Sequence, residues 1–172
     1  MTSSPTAPDE RSAIGAKPSL SAAPYEHPDA RCLTRALRAE QLALYGFADD
    51  PDTTPEADFD PPGGLFLVAR LGGQPVGCGG ARLLGETTAE VKSMYVAEHA
   101  RGQGIGRDIL KRLERHAAAC GATRIVLETG RRNTAALALY GRAGYEPYPS
   151  YVPGRDHRVN RAMTKSLGGR TP

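Results

Sequence analysis

Apolar positions in the chain follow two spacings, one typical of strands and one typical of helices. Short apolar runs bounded by turn residues predict six strands, at residues 65–71, 76–84, 88–96, 123–129, 145–148 and 159–167. The turn Gly72–Pro75 joins the first two strands as an antiparallel hairpin. Gly77, Gly79 and Gly80 weaken the second strand, and they predict a bulge or the close approach of another backbone.

Helical spacing appears in three segments, at residues 30–45, 105–120 and 133–142. Asp29 is expected to cap the first helix, and Gly46 is expected to end it. The apolar stripe of the second helix is formed by Ile105, Ile109, Leu113 and Ala117. These elements show no internal repeat, and 172 residues with 40% hydrophobic content suit one domain with a sizeable core.

The ends of the chain and one loop differ in composition from the rest. Residues 1–24 are rich in Ser, Pro and Ala and are predicted to be a disordered tail, in which a short strand begins near Ser19. Residues 25–168 are predicted to be the folded domain, and residues 169–172 a C-terminal tail. Residues 47–63 hold four prolines and six acidic residues, which predicts an acidic loop.

The formal net charge is only +3, but the basic residues are concentrated at residues 101–132. Lys111, Arg112 and Arg115 are interpreted as a solvated helix face. Arg101 and Arg107 flank a glycine-rich segment instead, and we interpret them as anion ligands. Because no aromatic residues interleave with this basic run, binding to nucleic acid is not expected.

The cysteines and the hydropathy bear on metal binding, thiol oxidation and membrane association. Cys32, Cys78 and Cys120 are odd in number and lack the spacing of metal ligands, so we expect no metal and reduced thiols, as in a cytoplasmic protein. No run approaches the roughly 18 apolar residues of a transmembrane helix, so no membrane association is expected. The first 24 residues also lack the apolar core of a secretory signal.

The segment Arg101–Gly106 predicts an anion site at the start of a helix. Gly102, Gly104 and Gly106 allow successive backbone N–H groups to point into one concavity, where the helix dipole also favours negative charge. Arg101 and Arg107 flank this concavity. The segment therefore has the chemistry that is needed to hold a pyrophosphate.

The spacing of the glycines bears on which pyrophosphate is expected. A dinucleotide fingerprint, G-x-G-x-x-G, would need a glycine where the chain has Arg107, although Glu128 could serve as its ribose carboxylate. The Gly-Lys-Ser/Thr ending of a P-loop is absent. A nucleotide-binding module that uses this loop remains an alternative.

A second block of residues accompanies the glycine segment: the strand Ile125–Gly130, then Asn133, a short helix that ends in Tyr140, and an aromatic strand from Tyr145. In this order the two blocks resemble the GNAT superfamily of acetyl-CoA-dependent N-acetyltransferases, over residues 64–148. The resemblance implies an α/β fold with a twisted, mostly antiparallel sheet, flanking helices and one parallel pair of strands that splays apart. It also implies acetyl-CoA as cosubstrate, with the pantetheine arm in the splay.

The resemblance implies a set of cofactor-binding residues, namely Met94, Tyr95, Val96, Arg101, Gly102, Gln103, Gly104, Ile105, Gly106, Arg107, Asn133 and Ala136. It also places a tyrosine such as Tyr140 beside the thioester sulfur, as a general acid. Tyr140 follows Asn133 by seven residues, almost two helical turns, so the two side chains share one helix face. The alternative is a core aromatic that packs against the Tyr145 strand.

Glu90 is the candidate general base, because a carboxylate on a central strand is rarely buried without a partner or a function. Its position resembles that of the catalytic glutamate in histone-modifying members of the superfamily. The alternative is a salt bridge, for which the adjacent Lys92 cannot be the partner on a flat strand. Glu128 is the reserve base, and the resemblance also leaves open deprotonation through ordered water and several weak groups. Residues of the substrate side are expected to be Glu40, Tyr45, Glu128 and Tyr151. For Glu40, Tyr45 and Tyr151 the alternative is a packing or solvated residue.

The expected function is transfer of an acetyl group from acetyl-CoA to a primary amine, by direct attack in a ternary complex. A single small domain favours a small-molecule amine, such as an amino acid, a polyamine or an aminated antibiotic. A protein N-terminus or a lysine side chain is the alternative acceptor. A non-catalytic acyl-CoA sensor is the alternative from another class, and a homodimer is compatible with the sequence.

Overall fold

Seven strands form one mixed sheet in the computed structural model, which describes residues 17–168. The strands are β1 (Ser19–Ala22), β2 (Leu65–Leu71), β3 (Gln74–Leu83), β4 (Thr88–Val96), β5 (Arg124–Gly130), β6 (Glu146–Tyr148) and β7 (Asn160–Ser166). Their spatial order is β1-β2-β3-β4-β5-β7-β6, and only the β4–β5 pair is parallel among the pairs of the described sheet. The predicted fold class is therefore confirmed.

In the part of the chain that the structure describes, three α-helices cover the two faces of the sheet, namely α1 (Pro28–Tyr45), α2 (Ile105–Ala119) and α3 (Thr134–Arg142). α1 covers one face together with buried Tyr25, Phe59 and Phe66. α2 and α3 pack against the other face, and the apolar stripe predicted for the second helix is buried there. Each buried Ile or Leu of that stripe contributes about 1.5–3 kcal/mol through removal from water.

The N-terminal boundary of the fold lies earlier than predicted. Residues 19–22, which the composition assigned to the tail, form the short strand expected near Ser19 and pair antiparallel with β2. The domain thus includes part of the segment that was predicted to be disordered. Residues 1–16 and 169–172 lie outside the described residues, so the tails predicted there remain predictions.

The cap of α1 also differs from the prediction. His27, not Asp29, caps the helix, because its Nδ1 accepts a hydrogen bond from the Asp29 backbone N–H at 3.1 Å. Pro28 occupies the first helical position, where an N–H has no intrahelical partner to lose. The Asp29 carboxylate instead accepts a hydrogen bond from Arg70 Nε at 3.0 Å, which ties α1 to β2.

The bulge predicted from the β3 glycines is confirmed at Gly79. Cys78 pairs with Tyr95 and Gly80 pairs with Lys92, so Ser93 and Met94 of β4 together face Gly79. Ser93 has a left-handed φ of 56°, the only positive φ outside glycine in the described chain. A Cβ at Gly79 would lie 2.5 Å from Met94 Sδ. The glycine therefore makes room for the methionine that the bulge turns inward.

The parallel strands β4 and β5 separate where β4 bulges. Their last backbone pair is Val91 with Leu127, although β4 continues to Val96 and β5 to Gly130. β5 keeps its pairing with β7 over its whole length, so β4 is the strand that departs. The V-shaped opening between the strands is the splay that the family resemblance implied.

Candidate active site

A cavity of about 790 Å³ lies beside the last residues of β4, between α2 and α3. All predicted cofactor residues except Gln103 line it, namely Met94, Tyr95, Val96, Arg101, Gly102, Gly104, Ile105, Gly106, Arg107, Asn133 and Ala136. Gln103 is exposed on the loop. Tyr140 and Glu40 line the same cavity, whereas Glu90, Glu128, Tyr45 and Tyr151 lie outside its lining. The structure thus divides the predicted residues into two groups.

The glycine segment enters α2 through two left-handed residues. Gly102 has a φ of 79° and Gly104, the residue before the first turn, has a φ of 81°. The first amide with a helical acceptor is that of Asp108, which donates to the Gly104 carbonyl at 3.0 Å. The N–H groups of the first turn have no intrahelical acceptor, and together with the helix dipole they form an anion site at the cavity wall.

Arg101 joins this loop to α1. Its Nε donates to the Val96 carbonyl at 2.8 Å, and its Nη2 donates to Glu40 Oε2 at 2.6 Å. Glu40, which was predicted for the substrate side, lines this cavity and carries the counter-charge of Arg101. Arg107 is mostly exposed and pairs with the adjacent Asp108 at 3.3 Å, so its guanidinium remains at the rim of the anion site.

Sequence reasoning missed the charged residues at the far end of the cavity. Lys111, interpreted as part of a solvated helix face, is exposed but also lines the cavity, one helical turn after Arg107. That four-residue spacing was the available signal. Glu114 and Lys165 also line the cavity and form an ion pair, with Nζ 3.0 Å from both carboxylate oxygens. Their contact joins α2 to β7 and has no local sequence signal.

Tyr140 is buried, with 4% of its surface exposed, and it lines the cavity from α3. Its helix begins after Asn133, whose Oδ1 accepts a hydrogen bond from the Ala136 N–H at 3.1 Å. Burial raises the pKa of the Tyr140 hydroxyl well above its ordinary value, so this group stays protonated at neutral pH. The centre of its ring lies 5.7 Å from that of Tyr145. Tyr140 therefore has the core-packing role that was given as the alternative, and it also lines the cavity.

Glu90 lies on the opposite face of the sheet, with 4% of its surface exposed. Arg82, its directly paired neighbour on β3, donates to Glu90 Oε2 from Nε at 2.8 Å. The Tyr151 hydroxyl donates to Glu90 Oε1 at 2.9 Å. Burial, and then the nearby Glu90 carboxylate, raise the pKa of Tyr151, so the tyrosine remains a donor. The salt-bridge alternative for Glu90 is therefore present, with Arg82 in place of Lys92.

Glu128 lies on the same face as Glu90, because Val126 is the β5 residue paired with Glu90 and side chains alternate along a strand. Arg155 Nε lies 2.9 Å from Glu128 Oε1, but the N–H is not aligned for a hydrogen bond, so the contact is ionic. Arg155 also binds Asp49 through both Nη atoms. Glu128 Oε2 is buried without a hydrogen-bond partner among residues 17–168. Burial raises the pKa of Glu128, and the Arg155 charge opposes this shift.

Tyr45, predicted for the substrate side, has a packing role in the structure. Its ring lies against Gly130 at the end of β5, where a Cβ would overlap the phenol. Its hydroxyl accepts a hydrogen bond from the Arg132 backbone N–H at 3.1 Å. The Arg132 side chain donates to the Leu44 carbonyl at 2.7 Å. These contacts fasten the end of α1 to the end of β5.

The remaining chemistry of the described residues is limited. The Cys78 thiol is buried in the core, where desolvation raises its pKa and disfavours the thiolate. Between residues 17 and 168 there is no group of three His, Cys, Asp or Glu side chains placed to hold a metal ion. Within the same range, none of the helices combines the length and the apolar character needed to cross a membrane.

Residues 31–145 match the sequence model of the acetyltransferase (GNAT) family. The chain is 42% identical over 103 residues to an IAA acetyltransferase of Azospirillum brasilense, an alignment that covers 59% of this chain and 67% of that protein. Its alignment with a longer relative, the N-acetylaspartate synthetase of Rattus norvegicus, covers only 36% of that protein.

Solved structures agree with the sequence match. A protein of Klebsiella pneumoniae described as an acyl-CoA N-acyltransferase superposes with a TM-score of 0.75 and 29% identity, over 88% of this chain and 98% of the other. The yncA protein of Salmonella typhimurium, solved with its cofactor acetyl-CoA, has the same fold, with a TM-score of 0.63 and 20% identity over 91% and 98% of the two chains. The chain belongs to the GNAT acetyltransferase family and is an acetyl-CoA-dependent N-acyltransferase.

Proposed function

We propose that the protein transfers an acetyl group from acetyl-CoA to the primary amine of a small molecule, by direct attack in a ternary complex. One observation carries this proposal: a single cavity connects the glycine segment at the start of α2 with the hydroxyl-bearing residue Tyr140. One cavity thereby contains both an anion site and a buried acid. Acyl transfer from a phosphate-containing thioester needs both in the same place. The acetyl-CoA bound to the structurally similar yncA protein supports the same assignment.

The cofactor side of the site is proposed to act mainly through backbone. The first-turn amides of α2 bind the pyrophosphate, and Arg107 adds a positive charge at the rim. Beyond Val91, the edge of β4 that faces β5 has no strand pairing within residues 17–168. Backbone groups at Met94–Val96, apart from the Val96 carbonyl that Arg101 occupies, are therefore available to the pantetheine arm. An N–H in this stretch can stabilise the carbonyl oxygen as negative charge develops on it. Acetyl-CoA supplies the thioester.

Tyr140 is proposed to protonate the departing thiolate. A general acid must carry its proton at the working pH and release it to a more basic group. The raised pKa of the buried hydroxyl keeps Tyr140 protonated, and a thiolate in the same apolar cavity is a stronger base than one in water. Phe at this position would keep the ring and remove only the proton.

The acceptor amine is proposed to bind on the α1 face of the sheet, next to Glu90 and Glu128. Among residues 17–168, this face holds four carboxylates and three cations near the splay, namely Asp49, Asp58, Glu90, Glu128, Arg82, Arg155 and Lys92. An excess of one negative charge favours the approach of a cationic ammonium group, which then loses one proton to solvent and becomes the neutral amine. A carboxylate of this face then receives the proton that the amine loses on attack.

Thermal unfolding with acetyl-CoA, and with NAD as the control ligand, tests the cofactor. At about 100 times its Kd a ligand adds roughly 2.7 kcal/mol to the free energy of unfolding, which raises the Tm by about 5–10 °C in a domain of this size. A shift with NAD and none with acetyl-CoA would contradict the proposal. Release of coenzyme A with an amine panel then separates an enzyme from an acyl-CoA sensor, which would bind without turnover.

A further inference from the structure

We infer that Glu128, and not Glu90, accepts the proton of the acceptor amine, while Glu90 positions Arg82 and Tyr151. The inference rests on the proposed function and specifies one step within it. The two carboxylates lie on the same face of neighbouring strands but differ in hydrogen bonding. Both oxygens of Glu90 accept hydrogen bonds, whereas Glu128 Oε2 accepts none from the described residues.

Glu90 has little capacity left for a substrate proton. Its Oε2 accepts a hydrogen bond from Arg82 Nε and lies 2.8 Å from Arg82 Nη2, and its Oε1 accepts a hydrogen bond from the Tyr151 hydroxyl. Arg82 is itself fixed by Asp58. Both carboxylate oxygens thus already accept from protein donors, and neither is left without a partner for the N–H of an amine. Glu90 therefore fixes the side chains that surround the acceptor.

Glu128 has an oxygen available. Its Oε1 lies 2.9 Å from Arg155, whereas its Oε2 is buried and receives no hydrogen bond from the described residues. A buried carboxylate oxygen without a donor is costly and rare, and a donor from the substrate would satisfy it. The N–H of an amine is such a donor.

The position of Glu128 in the sheet suits this role. It is the first β5 residue after Leu127, which forms the last pair with β4, so it stands where the splay opens. Its side chain is on the α1 face, whereas Tyr140 belongs to the core on the α2 and α3 face. A thioester held in the splay would therefore have the proton acceptor on one side and the proton donor on the other.

The charged groups around Glu128 shift its pKa in opposite directions. Arg155 of the β6–β7 loop and Lys92 of β4 favour its ionised form. Asp49 of the loop after α1 and Glu90 of β4 disfavour that form, as does burial, and the net effect is a raised pKa. A base whose pKa is moved toward neutrality takes a proton from an attacking amine more readily than an ordinary carboxylate does.

The step balances in atoms and charge. As the lone pair of the neutral amine forms a bond to the carbonyl carbon, one N–H proton passes to Glu128 Oε2. The C–S bond breaks, and sulfur keeps both electrons and takes a proton from Tyr140. Solvent then returns a proton from Glu128 to Tyr140, so the products are one amide and one thiol.

Matched variants, assayed in the full chain, test the assignment with glycine, spermidine and kanamycin as probe amines. We expect Glu128→Gln to lower kcat by roughly 100-fold or more and to leave acetyl-CoA binding within about twofold. It should also abolish the acid limb that Glu128 adds, namely the part of the fall of kcat/KM at low pH that exceeds the fall caused by protonation of the amine itself. Glu128→Asp should restore part of the rate together with that acid limb. Turnover by Glu128→Gln within tenfold of wild type, with the acid limb intact, would overturn the inference.

Arg155→Gln is the matched control for a merely structural role. If Glu128 only anchors the β6–β7 loop, loss of its partner Arg155 should reduce turnover as much as loss of Glu128. If Glu128 is the base, Arg155→Gln loses less of kcat than Glu128→Gln does, and its acid limb moves to higher pH because the ionised carboxylate loses a cation. Failure of wild type to acetylate any probe amine would instead contradict the proposed function, and the inference would fall with it.

Discussion

The carboxylate of Glu40, in the last two turns of α1, accepts a 2.6 Å hydrogen bond from Arg101 at the start of the glycine segment. The two residues are 61 positions apart in the chain, and both line the cavity. The contact links the helix on one face of the sheet to the glycine segment. It also neutralises an arginine that would otherwise contribute its full charge to the proposed pyrophosphate site.

Loss of this counter-charge should strengthen cofactor binding. We expect Glu40→Gln to lower the Kd for acetyl-CoA by about two- to fivefold at low salt, since a partly exposed ion pair of this kind is worth up to about 1 kcal/mol. The gain should shrink as salt screens the site. Calorimetric titration at two salt concentrations measures both effects, and Glu98→Gln removes an equal charge nearby as a control. Weaker binding would show instead that Glu40 orients Arg101 productively.

Gly104 is expected to be indispensable for the anion site. Gly104→Ala places a Cβ at a φ of 81° and 2.9 Å from the Arg107 guanidinium, so we expect a cost of about 1–2 kcal/mol and at least a tenfold rise in the Kd for acetyl-CoA. Gly121→Ala is the matched control. Gly121 also has a left-handed φ, of 92°, but it lies past the other end of α2 with open space around it. It should lose similar stability and keep its affinity.

The elements of the fold were predictable because their signals are local. The strand at residues 88–96 was predicted with its observed limits, and the glycine-rich stretch of β3 indicated the bulge. The loop geometry of the proposed cofactor site was predictable for the same reason, because it depends on closely spaced glycines. The cap at His27 was not predicted, because aspartate is generally preferred over histidine as the residue that caps a helix N-terminus. In this structure the Asp29 carboxylate binds Arg70 instead.

The acceptor side could not be predicted in detail, because its residues meet only through the tertiary fold. Glu90 was identified from its place on a central strand, but its partner Tyr151 is 61 residues away. Asp49 and Arg155 are separated by 106 residues. No periodicity records such contacts, so the sequence could not show that Glu90 is occupied and that Glu128 has an oxygen without a donor.

Removal of the Tyr140 hydroxyl should affect chemistry and leave binding unchanged. We expect Tyr140→Phe to lower kcat by roughly 100-fold, with the Kd for acetyl-CoA and the Tm close to wild type, because the ring remains in the core. Tyr145→Phe is the control, since it alters the other ring of the same aromatic pair and lies outside the cavity lining. Equal losses in the two variants would indicate a packing effect rather than proton donation.

The buried carboxylate of Glu128 should also make stability depend on pH. Because burial raises its pKa in the folded state, the folded protein holds this proton more tightly than the unfolded chain does. The contribution of Glu128 to the free energy of unfolding is therefore unfavourable above the raised pKa, and the penalty disappears below the ordinary value. We expect Glu128→Gln to be more stable than wild type near pH 8, and to lose that advantage near pH 4. Urea unfolding at the two pH values measures the difference. Lower stability of Glu128→Gln at about pH 8 would mean that the ion pair with Arg155 outweighs the cost of burial.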